Sequence, residues 1–234
     1  MKRVLTVVLI CLSSHVLAQQ SAAPVSSIRV TGDSIVTAKP DRVQIDIGVV
    51  TRAPQSLAAA SQNASRLNAV LASLRKAVSP DTDIRTISYS LSPDYQYHPN
   101  GGEPTLLGYT ATNVVRITLD ELPKIGTVID AATQAGANRV QDIQFTLHDS
   151  QAVRAQALRE AAITARGEAD TLAAALGLKV IRILSVEGNT QGVMPVRNAM
   201  LVVAEARAPT PIQPGTIDVN ANVTLTVEVA PAAR

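Results

Sequence analysis

Every second residue of the C-terminal stretch is apolar: Ile217, Val219, Ala221, Val223, Leu225, Val227 and Val229. Between them stand Asp218, Asn220, Asn222, Thr224, Thr226 and Glu228. A period of two puts all the apolar residues on one side of an extended chain, so this stretch is a strand with one buried and one wet face. The same alternation runs through Val43, Ile45, Ile47 and Val49, and through Tyr109, Ala111, Asn113, Val115, Ile117 and Leu119. It also runs through Ile87, Tyr89, Leu91, Pro93, Tyr95 and Tyr97. Between the last two lies Pro99-Asn100-Gly101-Gly102-Glu103-Pro104, a turn by composition, so residues 87–119 read as a long antiparallel hairpin.

Helical spacing fills the gaps. Leu67, Leu71, Leu74 and Val78, continued by Ala60 and Ala64, predict a helix opened by Pro54 and stopped by Ser79-Pro80-Asp81. Leu122, Ile125, Val128, Ile129 and Ala132 predict a second, capped by Asp120 and closed by Gly136. A third, capped by Asp149 or Ser150, runs to Gly177 through Val153, Ala157, Ala161, Ala165, Leu172 and Leu176. Ile28 and Val30 open a first strand that meets Gly32-Asp33. Ile143, Phe145 and Leu147 mark another. Val180, Ile181, Ile183, Leu184 and Val186 form a continuous apolar run, the pattern of a strand covered on both faces. The expected order is ββαββαβαββ: an α+β protein of antiparallel sheets with three main helices. Its strand-helix-strand-strand-helix-strand portion has the order of a split βαβ, ferredoxin-like unit.

The N-terminus points to export. Lys2 and Arg3 precede the apolar stretch Val4–Leu12, and Val16-Leu17-Ala18 offers a cleavage site before Gln19. Residues 1–18 read as a signal peptide too short for a comfortable membrane span, 19–27 as a polar leader, and 28–230 as the folded part, as one domain or two subdomains. Ile10 stands where a lipobox before Cys11 wants a small residue, so lipidation is not expected. Removal of residues 1–18 lowers Lys plus Arg from 21 to 19 against 19 Asp plus Glu. The resulting neutral chain gives no electrostatic case for nucleic acid or anionic membrane. The only cysteine leaves as well, which excludes disulfides and thiol chemistry.

The stretches IRVTGDSIVTAKPDRVQIDIGV (28–49), GYTATNVVRITL (108–119), AGANRVQDIQFTL (135–147) and the alanine-rich QALREAAITARGEADTLAAALGLKV (156–180) resemble the SIMPL-domain family. The resemblance implies an exported α+β protein that self-associates, in some members into a ring- or channel-like oligomer, with a role in oxidative-stress protection. It implies no catalytic residue, because none is established for the family.

Chemistry-bearing motifs are scarce. There is no G-x-S-x-G, G-x-G-x-x-G or Walker lysine. A hydrolytic triad would have only His98 and His148 as bases, and Asp149-Ser150 is explained by helix capping. Metal binding would recruit His98 with Asp94, or His148 with Asp142 and Asp149, without the spacing of known sites. Paired charges such as Glu168 and Asp170 with Arg166 read as a solvated helix face. No catalytic, cofactor or metal residue is assigned.

The aromatic residues are concentrated instead. All four tyrosines, Tyr89, Tyr95, Tyr97 and Tyr109, fall within 89–109; Phe145 is the only other aromatic. Parity sets Tyr89, Leu91, Tyr95 and Tyr97 on one hairpin face and His98 on the other or in the turn. Without a basic groove that face is a poor platform for bases and a good subunit contact. The proline-rich segment 188–215, with apolar Met200, Leu201, Val202 and Val203, reads as a long loop and a second contact. The expectation is a periplasmic, non-enzymatic homo-oligomer. The alternative is a periplasmic module that binds a small molecule or a metal.

Overall fold

A computed structural model describes residues 25–99, 101–190, 194–195 and 212–232. Eight strands and three helices run in the order β1 (Ser27–Ala38), β2 (Arg42–Ala53), α1 (Ser56–Ala77), β3 (Asp83–Gln96), β4 (Thr105–Leu119), α2 (Ile125–Gln134), β5 (Arg139–Thr146), α3 (Gln151–Ala175), β6 (Leu178–Thr190), β7 (Met194–Pro195) and β8 (Ile217–Pro231). They form two antiparallel sheets with no closed barrel. One has the order β1-β8-β6, with β7 also on β8; the other has β3-β4-β2-β5.

The second sheet is the split βαβ unit read from the order of elements. β2 and β3 run parallel with β4 between them, antiparallel to both. Helices α1 and α2 cover its inner face. Val43, Ile45, Ile47 and Val49 meet Val115, Ile117 and Leu119 there, with Leu67, Val70, Leu74, Val128 and Ile129 above. Each of these large aliphatic side chains contributes roughly 1.5–3 kcal/mol by leaving water.

The other sheet is centred on β8, whose seven odd-numbered apolar residues are all buried. Helix α3 lies on them with Ala157, Ala161, Ala165, Ala169 and Ala173. Five alanines spaced by four make a flat stripe without bulk, so the helix backbone sits close to β1. There Ser34 Oγ donates to the Ala157 carbonyl at 2.6 Å. At Gly32 a Cβ would lie 2.2 Å from Ala165 N and 2.4 Å from Ala161 O.

Several expectations are corrected here. Gly32-Asp33 does not end the first strand, which continues to Ala38; the glycine is required by the helix above it. Pro54 does not open α1, which starts at Ser56 after Gln55. The buried stripe of α1 is Ala59, Asn63, Leu67, Val70 and Leu74, one residue off the Ala60–Ala64 line. Asn63 belongs there because its Nδ2 donates to Val49 O and Ala111 O, bridging β2 and β4. On α3 the buried positions past Ala165 are Ala169 and Ala173, while Leu172 and Leu176 face outward. The largest departure is β6: far from being covered on both faces, it is a sheet edge with Ile181, Ile183, Leu184 and Val186 exposed. It also extends to Thr190, and β7 follows, inside what composition marked as loop.

Candidate functional site

The hairpin β3–β4 carries the largest apolar surface the sequence singled out. Residues opposite each other across a ladder share a face. Leu91 lies opposite Ala111 and Tyr89 opposite Asn113. Ala111 packs with Ala53 and Ala59, so this is the face that α1 covers. Two irregularities shape the hairpin. Ile87 is an extra residue between Thr86 and Ser88, which switches the inward parity from even to odd positions. Leu107 is the extra residue opposite Asp94 and Tyr95. Ile87 therefore does not belong to the tyrosine row, although Tyr89, Leu91, Pro93, Tyr95 and Tyr97 do.

Strand β2 ends at Ala53, opposite Tyr109, and Tyr109 lies opposite Pro93. Beyond that point the hairpin is a two-stranded ribbon, and α1 no longer covers it. Its tip turns through Gly101 and Gly102 at φ 79° and 119°, values that glycine adopts without strain. Tyr89, Tyr95 and Tyr97 are 54%, 48% and 75% exposed, and Leu91 and Leu106 are exposed beside them. His98 is apart from this row and bonds Thr105 Oγ1 at 3.1 Å. Asp94 is taken up by Thr110 and by Arg52 at 3.6 Å. Met200, Leu201, Val202 and Val203 lie outside the described residues.

A second polar corner was not read from the sequence. Arg42 on β2 donates twice to Asp120, at 2.6 and 3.0 Å, and also contacts His148 Nδ1. His148 N donates to Asp41 Oδ1 at 2.6 Å. Asp120, expected as a helix cap, is instead held by this pair; Asp149 Oδ1 accepts from Gln151 N at the start of α3. The corner borders a cleft of about 420 Å³ lined also by Arg85, Asp83, Glu121 and Lys124. Lys124 pairs with Glu121 at 2.8 Å and Arg85 with Asp83 at 3.6 Å, which with Arg42 and Asp120 leaves Asp81 as the one excess charge of its lining. Among the described residues no three His, Cys, Asp or Glu side chains converge as a metal cage.

The Arg42 hydrogen bond holds the Asp120 carboxyl below its ordinary value. A depressed carboxylate contributes stability above its unfolded pKa and loses it as pH falls through the lower folded value. Asp120→Asn is therefore expected to flatten the acid limb of melting temperature against pH, below about pH 4. An unchanged acid limb in a thermal melt series would contradict the assignment.

These features describe an α+β protein with exposed apolar strand surfaces and no assembled set of reacting groups among the described residues. The chain belongs to the SIMPL family, described as a protein of unknown function (DUF541), whose model matches residues 28–227. It is similar to the 26 kDa periplasmic immunogenic protein of Brucella melitensis, 28% identical over 211 residues and covering 86% of this chain and 84% of that one. The Brucella abortus protein of the same name matches equally. The uncharacterized protein YggE of Escherichia coli is 26% identical over 176 residues, 75% of this chain and 71% of that protein. The names of these relatives state no activity. No helix among the described residues is long and apolar enough to cross a membrane.

Proposed function

We propose that this is an exported periplasmic protein that acts without catalysis, by assembling with copies of itself through the tyrosine face of the β3–β4 hairpin. The observation that carries this reading is the exposed apolar row Tyr89, Leu91, Tyr95 and Tyr97, whose last two members stand on the two-stranded ribbon past the end of β2. Tyrosine suits such a contact because each ring buries a large area while its hydroxyl stays wet. Periplasmic residence is supported by the leader-like residues 1–18 and by the printed name of the Brucella relatives. The apolar run Met200–Val203 is proposed as a second contact. A ring- or channel-like form, serving envelope or oxidative-stress protection, is the part of the proposal that rests on family resemblance alone.

Light scattering on the purified protein should give a mass of several chains at micromolar concentration; a clean monomer would sink the proposal. Tyr95→Ser combined with Tyr97→Ser should lower that mass while moving the melting temperature by only a few degrees, because the two residues are already 48% and 75% exposed. Thermal shifts against metals, amines and lipids separate this reading from a ligand-binding module, since a specific ligand raises the melting temperature by mass action.

A further inference from the structure

Each open sheet has two edges, and an edge strand offers a row of unpaired N–H and C=O groups to any extended chain. Three of the four edges here are blunted. β3 has the extra residue Ile87 and carries Pro93, which has no N–H to offer. β5 spans only eight residues and is irregular opposite Asp46 and Ile47. β6 has extra residues at Ile181 and Leu184.

The fourth edge is β1, and it is left intact. Its twelve residues pair with β8 in unbroken register from Ser27 opposite Glu228 to Ala38 opposite Ile217. It contains no proline and no bulge. Its outer side makes no backbone hydrogen bond to any described residue.

We propose that this edge takes β1 of a second copy of the chain, antiparallel, about a two-fold axis at Thr31. The charges select both partner and register. Arg29 and Asp33 are the only charged residues of the strand, and both lie on the face away from α3; Arg29 also reaches Glu187 of its own chain at 3.5 Å, a long contact between two well-exposed side chains. With the axis at Thr31, each Arg29 stands opposite Asp33 of the second copy. Moving the axis to Thr31's neighbours on that face sets Asp33 against Asp33 or Arg29 against Arg29. On the α3 side this register sets Gly32 and Ser34 opposite Val30 and Ile28 of the second copy. The product is one continuous sheet of order β6-β8-β1-β1-β8-β6. This contact uses a different surface from the tyrosine face and stands or falls without it.

The mature region lacks cysteine, which permits a direct test in a full-length chain carrying Cys11→Ser. Opposed residues across an antiparallel pair have Cα atoms about 4.5–5.5 Å apart, inside the span of a disulfide. Thr31→Cys should cross-link into a dimer at least about tenfold faster than Ile35→Cys, whose own copy lies far along the strand. Equal rates would overturn the proposal. Arg29→Asp alone places like charges opposite each other twice and should weaken dimerisation about tenfold. Adding Asp33→Arg should restore it, with circular dichroism unchanged throughout. A double variant no better than the single one argues against this register. A monomer whose β1 amides are protected by a foreign peptide overturns the second-copy partner. The Thr31→Cys cross-link should persist with Tyr95→Ser and Tyr97→Ser present; losing it there would tie the dimer to the hairpin and refute an independent β1 contact.

Discussion

Gly32→Ala is expected to destabilise the protein by roughly 3 kcal/mol or more, a large loss for one methyl group. The new Cβ would sit 2.2 Å from Ala165 N, 2.4 Å from Ala161 O and 2.8 Å from Ala165 Cα. All three are backbone atoms of α3, so no side chain can swing aside. Either β1 or the helix must retreat, and the alanine stripe has no longer side chain with which to follow. Lifting α3 would open the packing of Ala157 through Ala173 on β8. Urea titration with far-ultraviolet circular dichroism measures the effect. A midpoint within error of the parent protein would show that α3 does not lie where this geometry puts it.

The second large effect is expected at Arg116. Its Nε and a terminal nitrogen donate to the two Asp46 oxygens at 2.7 and 2.8 Å, and the Asp46 side chain is only 10% exposed. The fork pairs β2 with β4 on the face away from α1 and α2. Arg116→Met removes both donors and leaves a carboxylate with little water, which costs about 3 kcal/mol. Replacing Asp46 by asparagine as well should recover much of that loss, because the stranded charge, not the missing attraction, dominates. Chemical denaturation of the two variants against the parent checks the order. A double variant as unstable as the single one would assign the cost to lost packing by the arginine stem.

The strands were legible because period two runs unbroken through Val43–Val49 of β2 and Ile217–Val229 of β8, where one face is buried throughout. The ferredoxin-like order of the second sheet followed from element order alone. Burial was harder to read wherever the partner is a helix of small residues. Ala169 and Ala173 face β8, while the more hydrophobic Leu172 and Leu176 face water, because close approach selects for size before hydropathy. In β6 the continuous apolar run was a true signal with the wrong cause: the residues lie on an uncovered edge. Asn63 escaped notice because a polar residue breaks an apolar stripe, yet two strand carbonyls need its donors. The bulge at Ile87 decides which face of the sheet the tyrosine row takes, and no local pattern announced it. The corner of Arg42, Asp120 and His148 joins Arg42 to residues 78 and 106 positions away, and no local spacing could announce it.

The pairing of β1 with β8 brings the first and last described strands side by side. When synthesis or secretion delivers the N-terminal side first, Ser27–Ala38 must wait for Ile217–Pro231, far along the chain, before it gains its neighbour. The β2–β5 unit, contiguous in the chain, has all its strands by residue 146 and is free to condense earlier. The β1–β8 sheet thus closes like a clasp, after the contiguous unit has formed. A chain cut short before β8 would retain the contiguous unit and carry β1 as a loose, pairing-competent tail.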